Sequence, residues 1–348
     1  MSLHFIFGRA GTGKTTRCCR EIQDYLKKTP GGRAYLLVPD QGTYTAEYLL
    51  AKSFPGAGFI DVTVCGFSRL AYRVFQELHS PVADALSPLG QQIILRRLLD
   101  AHKDELQVIL RAASQPHFSE KLTAFFHQLD MFLVTEDDLL AASKREGETP
   151  LGKKLADLSL LYKAYHDYLR MHFAYEGSLF DLLAREIPKS EKLRGSHIWI
   201  DGFNGMAPQK IRIVSALVHT AEEVTMTLQM DSPEEAAENP NFARPYQLYS
   251  QMQGAIRHSS SIVLTEEKRF RTSDLSLMAR HFFERHARPR PEDGRAKEGL
   301  HLITAESPKE EVDLISRTIT SLVRDKGLRY RDILVLSRTP ENYSDLFT

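Results

Sequence analysis

The chain has 348 residues, and its 45 Lys and Arg balance its 45 Asp and Glu, so the formal net charge is zero. That balance excludes a binder that grips nucleic acid through global positive charge, and 42% hydrophobic with 26% charged residues excludes a disordered chain. Three cysteines make no disulfide framework and point to a reducing, cytoplasmic compartment; no apolar run approaches the ~20 residues of a membrane span, and the N-terminus has no signal-peptide pattern.

In chain order, residues 4–7 (HFIF) are a short apolar run stopped by Gly8, and residues 14–28 then predict a helix ending before Thr29-Pro30-Gly31-Gly32. Residues 34–38 (AYLLV) predict a buried strand closed by Pro39, with a helix over 43–52. Residues 62–65 (VTVC) predict a third strand, closed by Gly66 and followed by a helix from Ser68. Strand–helix units at this spacing predict an α/β fold with a parallel sheet and crossover helices. From Ser87-Pro88 the pattern turns helical, and Leu155, Leu158, Tyr162, Tyr165 and Leu169 repeat at steps of three and four as a core stripe. Strands return at 198–200 and 224–230, each run followed by an aspartate, Asp201 and Asp231. Residues 285–299, rich in Pro, Gly and mixed charge, read as a solvated linker rather than a basic patch. Beyond them, strands at 300–304 and 333–336 are expected to flank a helix over 309–324. The thirteen histidines show no metal-ligand spacing, since His281 and His286 have no third partner.

Gly8, Arg9, Ala10, Gly11, Thr12, Gly13, Lys14 and Thr15 fit the spacing G-x-x-x-x-G-K-[ST] in full, between a predicted strand and a predicted helix. The glycines let the backbone wrap with its N–H groups inward, and the helix N-terminus adds positive potential. These residues, with Thr16, are the candidate nucleotide-binding set for ATP; Lys14 would meet the β- and γ-phosphates and the Thr15 hydroxyl would reach Mg²⁺. A motor of this kind also needs an aspartate after an apolar strand to hold the metal, and a base beside it to polarise water. Asp201 fits the first role, but the next residue is Gly202, and neither Phe203 nor Asn204 can take a proton. Losing an oriented base costs hydrolysis a factor of roughly 10²–10⁴. Only seven residues precede the loop, too few to carry a glutamine that reads adenine. The expectation is a chain that binds ATP with Mg²⁺ and hydrolyses it poorly or not at all, so no catalytic residue is assigned.

Four segments together resemble the B subunit of the bacterial AddAB-type helicase–nuclease. They are FIFGRAGTGKT at 5–15, LLVPDQGT at 36–43, VTVCGFSRLAY at 62–72 and IWIDGF at 198–203. Asp40 stands where glutamate is expected, and Gly66 where serine is usual. The resemblance implies a P-loop RecA-like parallel sheet on the superfamily 1 helicase plan. Residues 1–80 and 191–285 would form the first RecA-like domain, 81–190 a helical insertion in it, 286–299 a linker, and 300–348 the start of a second RecA-like domain. It also implies an inactivated helicase module that binds single-stranded DNA and helps recognise the Chi recombination hotspot, paired with an A subunit that drives translocation. In the family the nuclease domain and the iron–sulfur cysteines lie further along than residue 348, and the three cysteines here match no four-cysteine cluster.

In superfamily 1 helicases the loops after the second and third strands face the single strand. Here they offer Gln41, Thr43 and Tyr44, then Phe67, Ser68 and Arg69, chemistry suited to phosphate contact and base stacking. Phe67 and Tyr72 could equally pack the helix that follows. Two other function classes stay open: a working P-loop ATPase, and an interaction scaffold whose loop is vestigial.

Overall fold

The computed structural model describes residues 2–54, 61–80, 87–113, 115, 117–173, 179–256, 258–270, 272–282 and 299–346. The chain divides into two compact units, residues 1–269 and 270–348. In the first, β1 (Ser2–Phe7), β2 (Ala34–Leu37), β3 (Val62–Cys65), β4 (His197–Ile200), β5 (Glu223–Leu228) and β6 (Ser259–Val263) form one six-stranded parallel sheet. Its order is β3-β2-β4-β5-β1-β6. The fold class is therefore α/β, as the strand–helix spacing predicts.

Parallel strands covered on both faces read as near-continuous apolar runs, with alternate side chains going to opposite faces. Leu3, Phe5 and Phe7 enter one core while Ile6 enters the other. Helices α1 (Lys14–Lys28) and α2 (Thr43–Ser53) close the face of Ile6, Leu36 and Trp199 with Cys18, Ile22, Ala46 and Leu50. Helix α3 (Phe67–Leu78) crosses to the opposite face.

Between α3 and β4 the chain leaves the sheet for a helical excursion. It comprises α4 (Pro88–Ala101), α5 (Leu110–Ala113), α6 (Phe118–Met131), α7 (Glu136–Glu146) and α8 (Pro150–Phe173). The Ser87 hydroxyl accepts the Gly90 N–H and Pro88 opens the first turn of α4, as the Ser-Pro signal requires. The predicted stripe on α8 is a core face: Leu158, Leu161, Tyr162, Tyr165 and Leu169 pack with Leu95, Leu122 and Phe126 in a cluster separate from both sheet cores. The chain returns through α9 (Leu179–Glu186), α10 (Pro208–Thr220), α11 (Pro233–Glu238) and α12 (Ala243–Ala255), which complete the face begun by α3.

The second unit holds α13 (Ser273–His281) and α14 (Pro308–Lys326). Ser307 caps α14 through the Glu310 N–H, and Gly327 ends it at φ 69. Residues 300–304 and 333–336 are not strands, contrary to the sequence expectation. Their apolar pattern is suitable, but a strand exists only where a neighbour takes its backbone groups. Among the described residues of this unit no strand pairs with them, and Leu302 stands 97% exposed. Most of the expected linker, including His286, lies outside the described residues.

Candidate nucleotide site

Because the sheet is wholly parallel, the segments after all six strands emerge along one edge, where ligands of open α/β sheets bind. The glycine-rich loop follows β1 and leads into α1. Gly11 and Gly13 take φ values of 86 and 88, in the left-handed region that suits glycine. Gly8 serves another need: a Cβ there would overlap Thr12 Oγ1 and lie 2.9 Å from the Leu264 carbonyl oxygen. Helix α1 has no side-chain cap and no acidic residue in its first turn, which leaves its N-terminal N–H groups available to an anion.

Lys14 folds over the loop, and its Nζ donates to the carbonyl oxygens of Gly8 and Arg9 at 2.6 and 2.9 Å. Burial lowers its pKa from 10.5 to about 8; Asp201 opposes that shift and Arg269 adds to it. Thr15 Oγ1 donates to Asp201 Oδ2 at 2.6 Å. Asp201 Oδ1 accepts from Thr227 Oγ1 on β5, the strand between β1 and β4. Asp201 is 6% exposed, with each carboxylate oxygen held by a threonine hydroxyl.

A cavity of about 380 Å³ opens over this group. Ala10, Gly11, Gly13, Lys14, Thr15 and Thr16 line it, whereas Gly8, Arg9 and Thr12 do not. Arg9 turns its side chain to Asp231, and Thr12 is buried beneath the loop, its hydroxyl donating to the Arg9 carbonyl at 2.9 Å. Gly202 follows Asp201 at φ 83, and a Cβ there would meet Pro39 Cδ at 3.4 Å. Among the described residues the lining holds one carboxylate, Asp201, and neither a glutamate nor a histidine.

Five lining residues escaped the sequence reading: Leu49, Thr227, Gln229, Lys268 and Arg269. The alternation in VTMTLQM placed Thr227 and Gln229 on one face of a strand, but nothing local said that this strand separates β1 from β4. Lys268 donates its N–H to the Gly11 carbonyl at 2.9 Å. It lies just beyond β6, whose SSSIV sequence carries little strand signal. The donor set fits ATP with Mg²⁺: a hydroxyl and a carboxylate supply hard oxygen ligands, and lysine with backbone N–H groups supplies phosphate partners.

The loops after β2 and β3 meet beside this edge. Gln41 is exposed in a short 3₁₀ turn, Asp40–Gly42, and the Thr43 hydroxyl donates to the Asp40 carbonyl at 3.0 Å. Tyr44 is exposed, and a Cβ on Gly66 would overlap the Asp40 carboxylate. The two departures from the expected family pattern thus face one another. Arg69 is exposed and borders a cavity of about 630 Å³ with Tyr72, Arg73, Gln76 and Lys192, while Ser68 is half-buried. Phe67 is 3% exposed, its ring 5.5 Å from that of Phe203 and 5.7 Å from Lys210 Nζ, so it forms the floor of the loop and presents no open face for stacking.

Cys18, Cys19 and Cys65 are free and buried; burial pushes the Cys18 thiol well up and the other two to about 11. Among the described residues no His, Cys, Asp and Glu cluster could hold a metal ion, and no helix is long and apolar enough to cross a membrane.

The model of the family described as ADDB, N-terminal, matches residues 5–279. The B subunit of the ATP-dependent helicase/deoxyribonuclease of Pelotomaculum thermopropionicum is 34% identical over 362 residues, covering 100% of this chain and 31% of that protein. The protein of the same name from Bacillus subtilis is 33% identical, covering 99% of this chain and 31% of its own length. That from Heliobacterium modesticaldum is 35% identical, with 99% and 29% covered. The chain thus spans a little under a third of each of these relatives.

Proposed function

As the chain belongs to the ADDB family through its N-terminal region, we propose that it is the nucleotide-binding, hydrolysis-deficient helicase-like module of the B subunit of a helicase–nuclease. Such an enzyme processes double-strand DNA ends for recombinational repair in the cytoplasm. Here this module contributes single-strand binding and Chi recognition, and an A subunit supplies translocation.

The observation that carries the reading is the contact of Thr15 with Asp201, 2.6 Å apart in space and 186 residues apart in sequence. It unites the hydroxyl and the carboxylate that a nucleotide-bound Mg²⁺ requires, beside Lys14. When bound, the metal neutralises phosphate charge; the chain's own part is to hold it with Thr15 and Asp201, to hold the phosphates with Lys14 and the loop N–H groups, and to offer Lys268 and Arg269 as further cations. Hydrolysis is weak because Gly202 brings no base and Asp201, the one carboxylate among the described lining residues, is engaged by two hydroxyls. For DNA, exposed Gln41 and Arg69 and half-buried Thr43 are the contacts, and Phe67 supports them from below.

Calorimetric titration of the chain with ATP·Mg²⁺, beside Lys14→Ala, tests the nucleotide half. Binding by the parent that falls at least about a hundredfold in the variant is expected, since a charge-assisted phosphate partner is lost. No binding by the parent would favour a scaffold, and phosphate release at motor-like rates would favour a working ATPase. The DNA half is read from the salt slope of single-strand affinity, expected to be shallow for so few phosphate contacts.

A further inference from the structure

Arg9 occupies a variable position of the glycine-rich motif, where its charge suggests a phosphate ligand. The structure gives it another task. Its Nε and Nη2 donate to Asp231 Oδ1 and Oδ2 at 2.6 and 2.7 Å, a bidentate pair bridging 222 residues of sequence. The guanidinium carbon also lies 5.7 Å from the centre of the Phe242 ring. Both partners come from the segment after β5, which neighbours β1 on the side away from β6. The pair is half-buried, with side-chain exposures of 31% and 18%, and its planar fork leaves one low-energy geometry.

The backbone of Arg9 in turn holds two further side chains of the loop. Its carbonyl oxygen accepts from the Thr12 hydroxyl and from Lys14 Nζ, each at 2.9 Å. Arg9, which shares the Lys14 ammonium with the Gly8 carbonyl at 2.6 Å, is thus itself fixed by Asp231. We propose that Asp231 is a positioning residue of the nucleotide site, acting through Arg9 to hold the loop and Lys14 in the geometry that receives phosphate. This rests on the nucleotide-binding reading above. It assigns Asp231 a role that the sequence reading left at a strand end, and it removes Arg9 from the direct phosphate ligands.

The test is a double-mutant cycle on ATP·Mg²⁺ affinity, with thermal unfolding of every variant and Lys14→Ala as control. Asp231→Asn and Arg9→Lys are each expected to weaken binding roughly tenfold, the scale of one lost charge-assisted fork, with little change in Tm. The double variant should be no weaker than either single one, and Asp231→Glu should retain most of the affinity. Parent-like affinity in Asp231→Asn while Lys14→Ala loses binding overturns the proposal and leaves the nucleotide reading standing. Additive losses, or losses that simply track Tm, overturn it too. Failure of the parent chain to bind takes down both.

Discussion

The sheet region and the helical insertion each enclose a buried apolar core, yet they use buried polar groups differently. In the sheet region, polar contacts join residues far apart in sequence: Thr15 with Asp201 across 186 positions and Arg9 with Asp231 across 222. In the insertion they stay closer and serve its own fold. Asp157, 2% exposed on α8, accepts the N–H groups of Gln107, Val108 and Ile109, and Tyr162 donates to Asp130 at 2.6 Å. A buried carboxylate satisfied by backbone donors stabilises one turn of chain, whereas one held by hydroxyls at a sheet edge can serve a ligand. Ligand-directed polar contacts in this molecule therefore gather at the common end of the parallel strands.

The hardest attempt to break that contrast is Phe126→Ala. Phe126 is 1% exposed among Leu95, Leu122, Tyr162 and Tyr165, so truncation should cost about 3–5 kcal/mol, read by denaturant unfolding. ATP·Mg²⁺ affinity of the folded fraction should hold, because no described residue of the insertion lines the nucleotide cavity; a parallel fall would show that the two regions are not separable. Within the sheet region, Gly202→Glu asks whether a side chain is all that hydrolysis lacks. At φ 83 the change should cost about 1–2 kcal/mol and yield no turnover, since a side chain there is strained and its Cβ lies 3.4 Å from Pro39 Cδ. Measured phosphate release well above the parent would refute this.

The smallest effect concerns pH. Lys14 is charged below its pKa of about 8 and loses that charge above it, so ATP·Mg²⁺ affinity should fall several-fold between about pH 7 and 9. The stability of the free chain moves the other way. Its folded pKa lies below the 10.5 of an unperturbed lysine, so the unfolded chain binds more protons between those values, and Lys14 makes stability rise with pH across that window. Titrations at both pH values check the first statement, and Lys14→Ala should flatten both trends.

Much of this was legible in the residues. Five of the six strands are apolar or alternating runs, most of them closed by Gly, Pro or Asp, and the helical stripe of α8 carries its period openly. Strand β6 was hidden: Ser259–Val263 is exposed throughout, and it pairs as an edge strand with β1 through backbone groups that any residue has. The opposite error came at 300–304 and 333–336, where the pattern of a strand is present without a neighbour to make it one. Whether Phe67 stacks or packs stayed open in the sequence, because an aromatic beside a strand end reads the same whether it points to solvent or to Phe203.

The glycine-rich loop after β1 and the missing base at Gly202 after β4 are readable from local spacing, because each depends only on residues within a few positions of its own strand end. Tertiary structure alone decided that Thr227 and Thr15 share Asp201, that Arg9 turns to Asp231, and that Lys268 and Arg269 border the cavity. Those meetings depend on β5 and β6 lying on either side of β1. Strand order is settled by how helices pack on both faces of the whole sheet, and no local pattern of residues encodes it.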